Sequence, residues 1–153
     1  MHMTATSIWW KKTYKAMQTE GLRIHVFRLL PGQGLKEAIQ AYVAEAAIEA
    51  GWVMTCVGSL TRLHLRLANQ DTGTAQEGHF EIVSLVGTVS MHGCHLHLCA
   101  SSPSGATTGG HLLDGNLAYT TAEVVIGEAP GLVFTRENDG TTDWAELQIR
   151  RRD

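Results

Sequence analysis

From residue 22 to residue 30 the chain reads Leu-Arg-Ile-His-Val-Phe-Arg-Leu-Leu, rich in β-branched and aromatic side chains, which predicts a strand. Pro31-Gly32-Gln33-Gly34 then interrupts the pattern as a turn. Leu35, Ala38, Ile39, Tyr42, Val43, Ala46, Ala47 and Ala50 recur at helical spacing, and Gly51 stands where a C-terminal cap belongs. This is the one clear helix, and its alanine stripe suits close packing on a sheet. Short apolar runs follow at 52–57, 60–68, 80–89 and 94–100, punctuated by Gly, Asn and Asp as in 69–73. Further runs at 118–128, 132–135 and 144–149 complete the chain. One helix among many short strands predicts an α+β fold, a single domain whose mostly antiparallel sheet of about seven strands is packed by that helix. Residues 1–20 lack a period and read as an N-terminal arm, 21–150 as the domain and 151–153 as a tail. Trp9 and Trp10 in the arm call for a partner surface.

Composition narrows the class. With 153 residues, 44% hydrophobic and 18% charged, the chain is long enough for one core and no more. The net charge of −3 gives no general basic field for nucleic acid, and Arg150-Arg151-Arg152 is the one basic cluster. Gly87, Gly93, Pro103 and Gly105 break the charge-poor middle, so no run reads as a membrane span, and no signal-peptide core appears. Three cysteines without a CxxC pair fit a reduced, intracellular setting: cytoplasmic, or nuclear if the source is eukaryotic. Phosphate loops and dinucleotide glycine patterns are missing, and Gly58-Ser59-Leu60 lacks the context of a hydrolase elbow.

The chemistry concentrates in 82–113, a stretch without Asp, Glu, Lys or Arg. There Cys94-His95-Leu96-His97-Leu98 puts two imidazoles on one face of a strand, because strand side chains alternate. His111 follows Gly109-Gly110, where paired glycines in a turn let a side chain come close to a neighbouring strand. Three neutral imidazoles with an open position make a catalytic rather than a structural zinc site; iron, nickel and copper accept the same donors. The plainer alternative is that strand histidines are hydrogen-bonded in the core or half exposed. His92 has the wrong offset to join them, and His25, His64 and His79 read as surface or satisfied core histidines. Glu123, within the apolar Val124-Val125-Ile126 context, reads either as a base or second partner for the site or as a solvent-facing carboxylate.

Several stretches together resemble the plants-and-prokaryotes conserved (PPC) domain. They are Leu29-Leu30-Pro31-Gly32-Gln33, Gly58-Ser59-Leu60, Leu65-Arg66, Gly78-His79-Phe80-Glu81-Ile82-Val83 with Ser84-Leu85-x-Gly87-Thr88, and His95-Leu96-His97. Gly109-Gly110-His111-Leu112, Gly115 and 120–128 continue the series in order, over about residues 22 to 150. The resemblance implies a mostly antiparallel α/β domain assembled as a homotrimer. Plant members follow AT-hook motifs in nuclear proteins, whereas bacterial and archaeal members stand alone. This chain has no Arg-Gly-Arg-Pro hook, and His79 stands where the plant motif has arginine, so it is similar to the stand-alone group. The fold is also remotely similar to acetolactate decarboxylase, whose zinc ligands fall on His95, His97 and His111. Three functions then compete: a metal-dependent small-molecule binder or enzyme, a DNA-binding chromatin or nucleoid module, and a structural self-association domain.

Overall fold

The computed structural model describes residues 16–153, so Trp9 and Trp10 lie outside the described residues. Strand β1 (Arg23–Leu29) leads through a turn to helix α1 (Leu35–Glu45), then to β2 (Gly51–Arg66), β3 (Thr74–Ser90) and β4 (Gly93–Ser101). After these come β5 (Thr107–Leu112), β6 (Ala118–Glu128), β7 (Leu132–Glu137) and β8 (Glu146–Arg151). The main sheet has six strands in the order β1-β6-β2-β3-β4-β5, and β7 pairs with β8 in a separate two-stranded sheet. Every pairing is antiparallel, which makes this an α+β domain. β2 also pairs with β5, joining Leu65 to Leu112 and Arg66 to His111, so β2 to β5 curl round on one another.

The core follows from alternation. Leu60, Leu63 and Leu65 of β2, Leu96 and Leu98 of β4, Leu112 of β5 and Val124 and Ile126 of β6 all point inward and are buried. Leu35, Ile39 and Val43 of α1 close over them, one apolar stripe on one apolar sheet face. Ala50, Ala129 and Leu132 form a second, smaller cluster with Trp52, Phe134 and Ile149, which ties the β7–β8 hairpin to the sheet. Ser90 Oγ donates to the Phe134 carbonyl at 2.8 Å and the Phe134 amide donates to the Glu49 carbonyl at 2.9 Å.

The structure corrects three expectations. The helix ends at Glu45 rather than running to a cap at Gly51. Ala47 takes a left-handed φ of 52°, and the Ile48 amide returns to the Val43 carbonyl at 3.0 Å, the closing bond of a Schellman turn. Of the later positions at helical spacing, Ala46 and Ala47 are exposed and Ala50 is buried; Ile48 enters the core from that turn, and Gly51 begins β2 opposite Val89 and Glu128. The runs at 52–57 and 60–68 are one strand, because Gly58-Ser59 is a register shift against β6 and not a turn. The glycine-rich approach to His111 is itself a strand, β5. The expected α+β class, a mostly antiparallel sheet with one main helix, holds, its eight strands dividing into a sheet of six and a sheet of two.

Candidate metal centre

β4 sets the site. Leu96 and Leu98 are buried on the inner face, so His95 and His97 stand on the outer one. His97 pairs across the ladder with His111 of β5, and His95 pairs with Thr88 of β3. Two glycines permit this closeness. A Cβ on Gly87, at φ +136°, would lie 1.9 Å from the His95 carbonyl oxygen, so only glycine lets β3 and β4 meet there. A Cβ on Gly110 would lie 2.7 Å from the Arg66 carbonyl oxygen, where β5 closes on β2.

The three imidazoles face one another. His95 Nε2 and His97 Nε2 are 3.1 Å apart, and one ligand nitrogen from each of His95, His97 and His111 falls within a 4.8 Å span. Ring centroids are separated by 5.0, 5.1 and 5.6 Å. With metal–nitrogen bonds of about 2.0–2.1 Å, the edge of a tetrahedral site is roughly 3.3 Å, so the two Nε2 atoms need little movement to share an ion. His111 Nδ1 is buried without a hydrogen-bond partner, an orphaned polar atom at the same spot. Donor chemistry and geometry therefore fit a borderline transition metal ion.

Electrostatics favour the neutral form of two of the donors, His95 and His111. Burial lowers the pKa of His95, with Arg136, His97 and Arg66 adding to the effect and Glu146 opposing it. Burial also lowers that of His111, to about 4, helped by His95, Arg66, His97 and Lys36. A neutral imidazole is the form that ligates metal, and here it is the form present at neutral pH.

The surroundings come from elements with no sequence spacing to the histidines. Arg136 of β7 donates from Nη2 to Thr88 Oγ1 at 2.7 Å. Arg66 of β2 stacks its guanidinium 4.8 Å over the Trp144 ring. A cavity of about 440 Å³ opens here, walled by His95, His111, Arg66, Arg136, Leu113 and Trp144, with Glu146 at its side. None of Arg136, Trp144 and Glu146 carried a local signal, and Arg66 entered only through the family string. Glu123, in contrast, is exposed on β6, opposite Arg28 and Val57, with β2 and β3 between it and β4. That placement matches the solvent-facing reading of Glu123; the carboxylate beside the histidines is Glu146.

The other histidines among the described residues each have a partner. His25 bonds Glu128 Oε2 at 3.0 Å and the Tyr42 hydroxyl at 3.1 Å, which satisfies a carboxylate that is only 2% exposed. His64 Nδ1 meets the Asp114 carbonyl at 2.8 Å, His92 meets Glu49 at 3.1 Å, and His79 packs edge-on to Tyr119. Cys94 faces the core beside Leu96 and Leu98, and burial raises its thiol pKa, as suits a packing residue.

The sequence profile of the Plants and Prokaryotes Conserved (PCC) domain matches residues 16–130. The chain belongs to this family. It is 39% identical over 135 residues to the bifunctional protein GlmU of a Synechococcus species, covering 88% of this chain and 22% of that protein. A more distant relative, AT-hook motif nuclear-localized protein 8 of Arabidopsis thaliana, is 25% identical over 116 residues, 70% of this chain and 30% of that protein. The chain thus spans less than a third of the length of these curated relatives. Among solved structures, a hypothetical protein from Salmonella enterica matches with a TM-score of 0.86 and 41% identity, covering 88% of this chain and 98% of that one. A protein from Archaeoglobus fulgidus described as metal-containing matches with a TM-score of 0.77 and 24% identity, over 88% of this chain and 99% of that one. Among the described residues, no helix is long and apolar enough to cross a membrane.

Proposed function

We propose that this PPC domain holds a divalent transition metal ion, with zinc the best fit, on His95, His97 and His111, and uses it to bind or transform a small molecule. The observation that carries the reading is the 3.1 Å approach of His95 Nε2 to His97 Nε2 with His111 alongside. The metal-containing description of the Archaeoglobus relative supports it. Such an ion supplies Lewis acidity toward an oxygen-bearing ligand. The chain's own contribution is to present three imidazoles on one face, with His111 half-buried, and to hold Arg66, Arg136 and Glu146 around the same cavity. Elemental analysis of purified protein tests this. About one transition metal per chain is expected, with most of it lost in His97→Ala; a metal-free wild type purified without chelator overturns the reading.

Self-association is a second, compatible reading. Ile24 and Val26 of β1, Met54 and Val57 of β2, and Val83 and Val86 of β3 are exposed apolar side chains, which favours a homotrimer that covers them. The DNA reading draws less from this chain, whose net charge of −3 offers no general basic field. It requires a mobility shift at low salt that fades steeply as salt rises.

A further inference from the structure

Arg66 and Arg136 approach the histidines from opposite sides. Arg66 lies across the β2–β5 ladder from His111, and Arg136 is held by Thr88, the ladder partner of His95. Among the described residues, neither guanidinium has a carboxylate within 4.0 Å, although four other cationic side chains, Arg23, Lys36, Arg62 and Arg150, do. Both are half-buried, and the desolvation of Arg136 lowers its pKa, so their charge is only partly screened by water. One carboxylate, Glu146, lines the cavity against these two cations. A divalent ion on three neutral imidazoles would add to the excess. Uncompensated positive charge in a partly dry cavity is stabilised by an anion, and a planar guanidinium is shaped to take two oxygens of one.

The cavity also has an apolar side. Leu113, Ala145 and the ring of Trp144 face the same space, and about 440 Å³ is within the range of a small-molecule site. The Arg66–Trp144 stack fixes one guanidinium plane before any ligand arrives.

We propose that this cavity is a receptor for a small organic oxyanion, carboxylate or phosphate, whose charged head lies between Arg66 and Arg136 and whose apolar body lies on Leu113 and Trp144. The proposal rests on the histidine cluster being the functional site and gives the chemical class of its ligand. Glu146, next to Arg136 on the β7–β8 hairpin, offsets part of that charge and disfavours a second negative charge at this end of the ligand.

Calorimetric titration of the purified protein, in phosphate-free buffer and with metal content measured on the same sample, tests it. The probes are benzoate, phenyl phosphate and the neutral benzamide. Benzoate or phenyl phosphate should bind saturably and benzamide should not, and the tighter of the two anions tells carboxylate from phosphate. Arg66→Gln and Arg136→Gln should each weaken the anion about tenfold or more, with circular dichroism unchanged. Arg136→Lys should weaken it less than Arg136→Gln. Benzamide binding as tightly as the anions, absence of anion binding, or arginine variants that bind like the wild type would each overturn the proposal. Metal present without anion binding rejects the anion site alone; arginine-dependent binding without metal rejects the metal reading alone.

Discussion

His111 sits beside two other imidazoles and across a strand from Arg66, and burial with these neighbours holds its pKa near 4 in the folded chain. An unfolded histidine titrates near about 6.5. Between these values the unfolded chain binds a proton that the folded chain refuses. The neutral ring therefore contributes stability that is complete above about pH 6.5 and is lost as pH falls toward about 4. Denaturant midpoints of the metal-free protein at several pH values between 7.5 and 4.5 should fall more steeply for wild type than for His111→Gln. Equal slopes would mean that His111 is ordinary in the folded state. The two β4 histidines and His111 could be read from the sequence because period-two alternation and a glycine pair act over a few residues. Arg136, Trp144 and Glu146 could not, since they reach the site only through docking of the β7–β8 hairpin. Glu123 stayed ambiguous for a related reason: its local context is apolar, and only the strand order, which carries β6 away from β4, favours its solvent-facing reading.

At the level of elements, the β3–β4 pair fixes where His95 and His97 stand. Its register brings Gly87 against Leu96 and Thr88 against His95. The Gly87→Ala variant would set a methyl group 1.9 Å from the His95 carbonyl oxygen and 2.9 Å from the Leu96 Cα, both backbone atoms that cannot swing aside. It would also place alanine at φ +136°, a strained backbone region. A loss of about 2–4 kcal/mol is expected in urea unfolding, together with weaker metal retention as β4 moves. Wild-type stability and metal content in this variant would show that the strands reach the same geometry without the glycine. Most strands could be read in advance because their inner faces alternate cleanly. The end of α1 could not, since Ala47 adopts a conformation usually left to glycine, while Ala46, Ala47 and Ala50 continue the helical spacing beyond the helix. β5 was hidden by its glycines, which lower strand propensity even though β4 and β2 supply partners on both sides.

For the whole molecule, the distribution of apolar surface decides the next question. One face of the sheet is covered by α1, and the other leaves Val26 68%, Ile24 58%, Val57 58% and Val83 58% exposed on three different strands. Scattered single residues of this kind are ordinary, but a set spread over neighbouring strands of one sheet marks an interaction surface. The charge-free stretch of 82–113 points the same way, because interface centres are depleted of charge. If copies of the chain cover this face, light scattering at micromolar concentration should give three times the 16.7 kDa chain mass. Val26→Lys combined with Val57→Lys places charge on that face without touching the buried core or the histidines, so the variant should fall to monomer while its circular dichroism stays that of the wild type. A monomeric wild type would remove the trimer. A trimeric double variant would place the contact elsewhere on the molecule. Metal analysis of the monomeric variant then separates the two readings: retained metal means that one chain completes the site, and lost metal means that the site needs its neighbours.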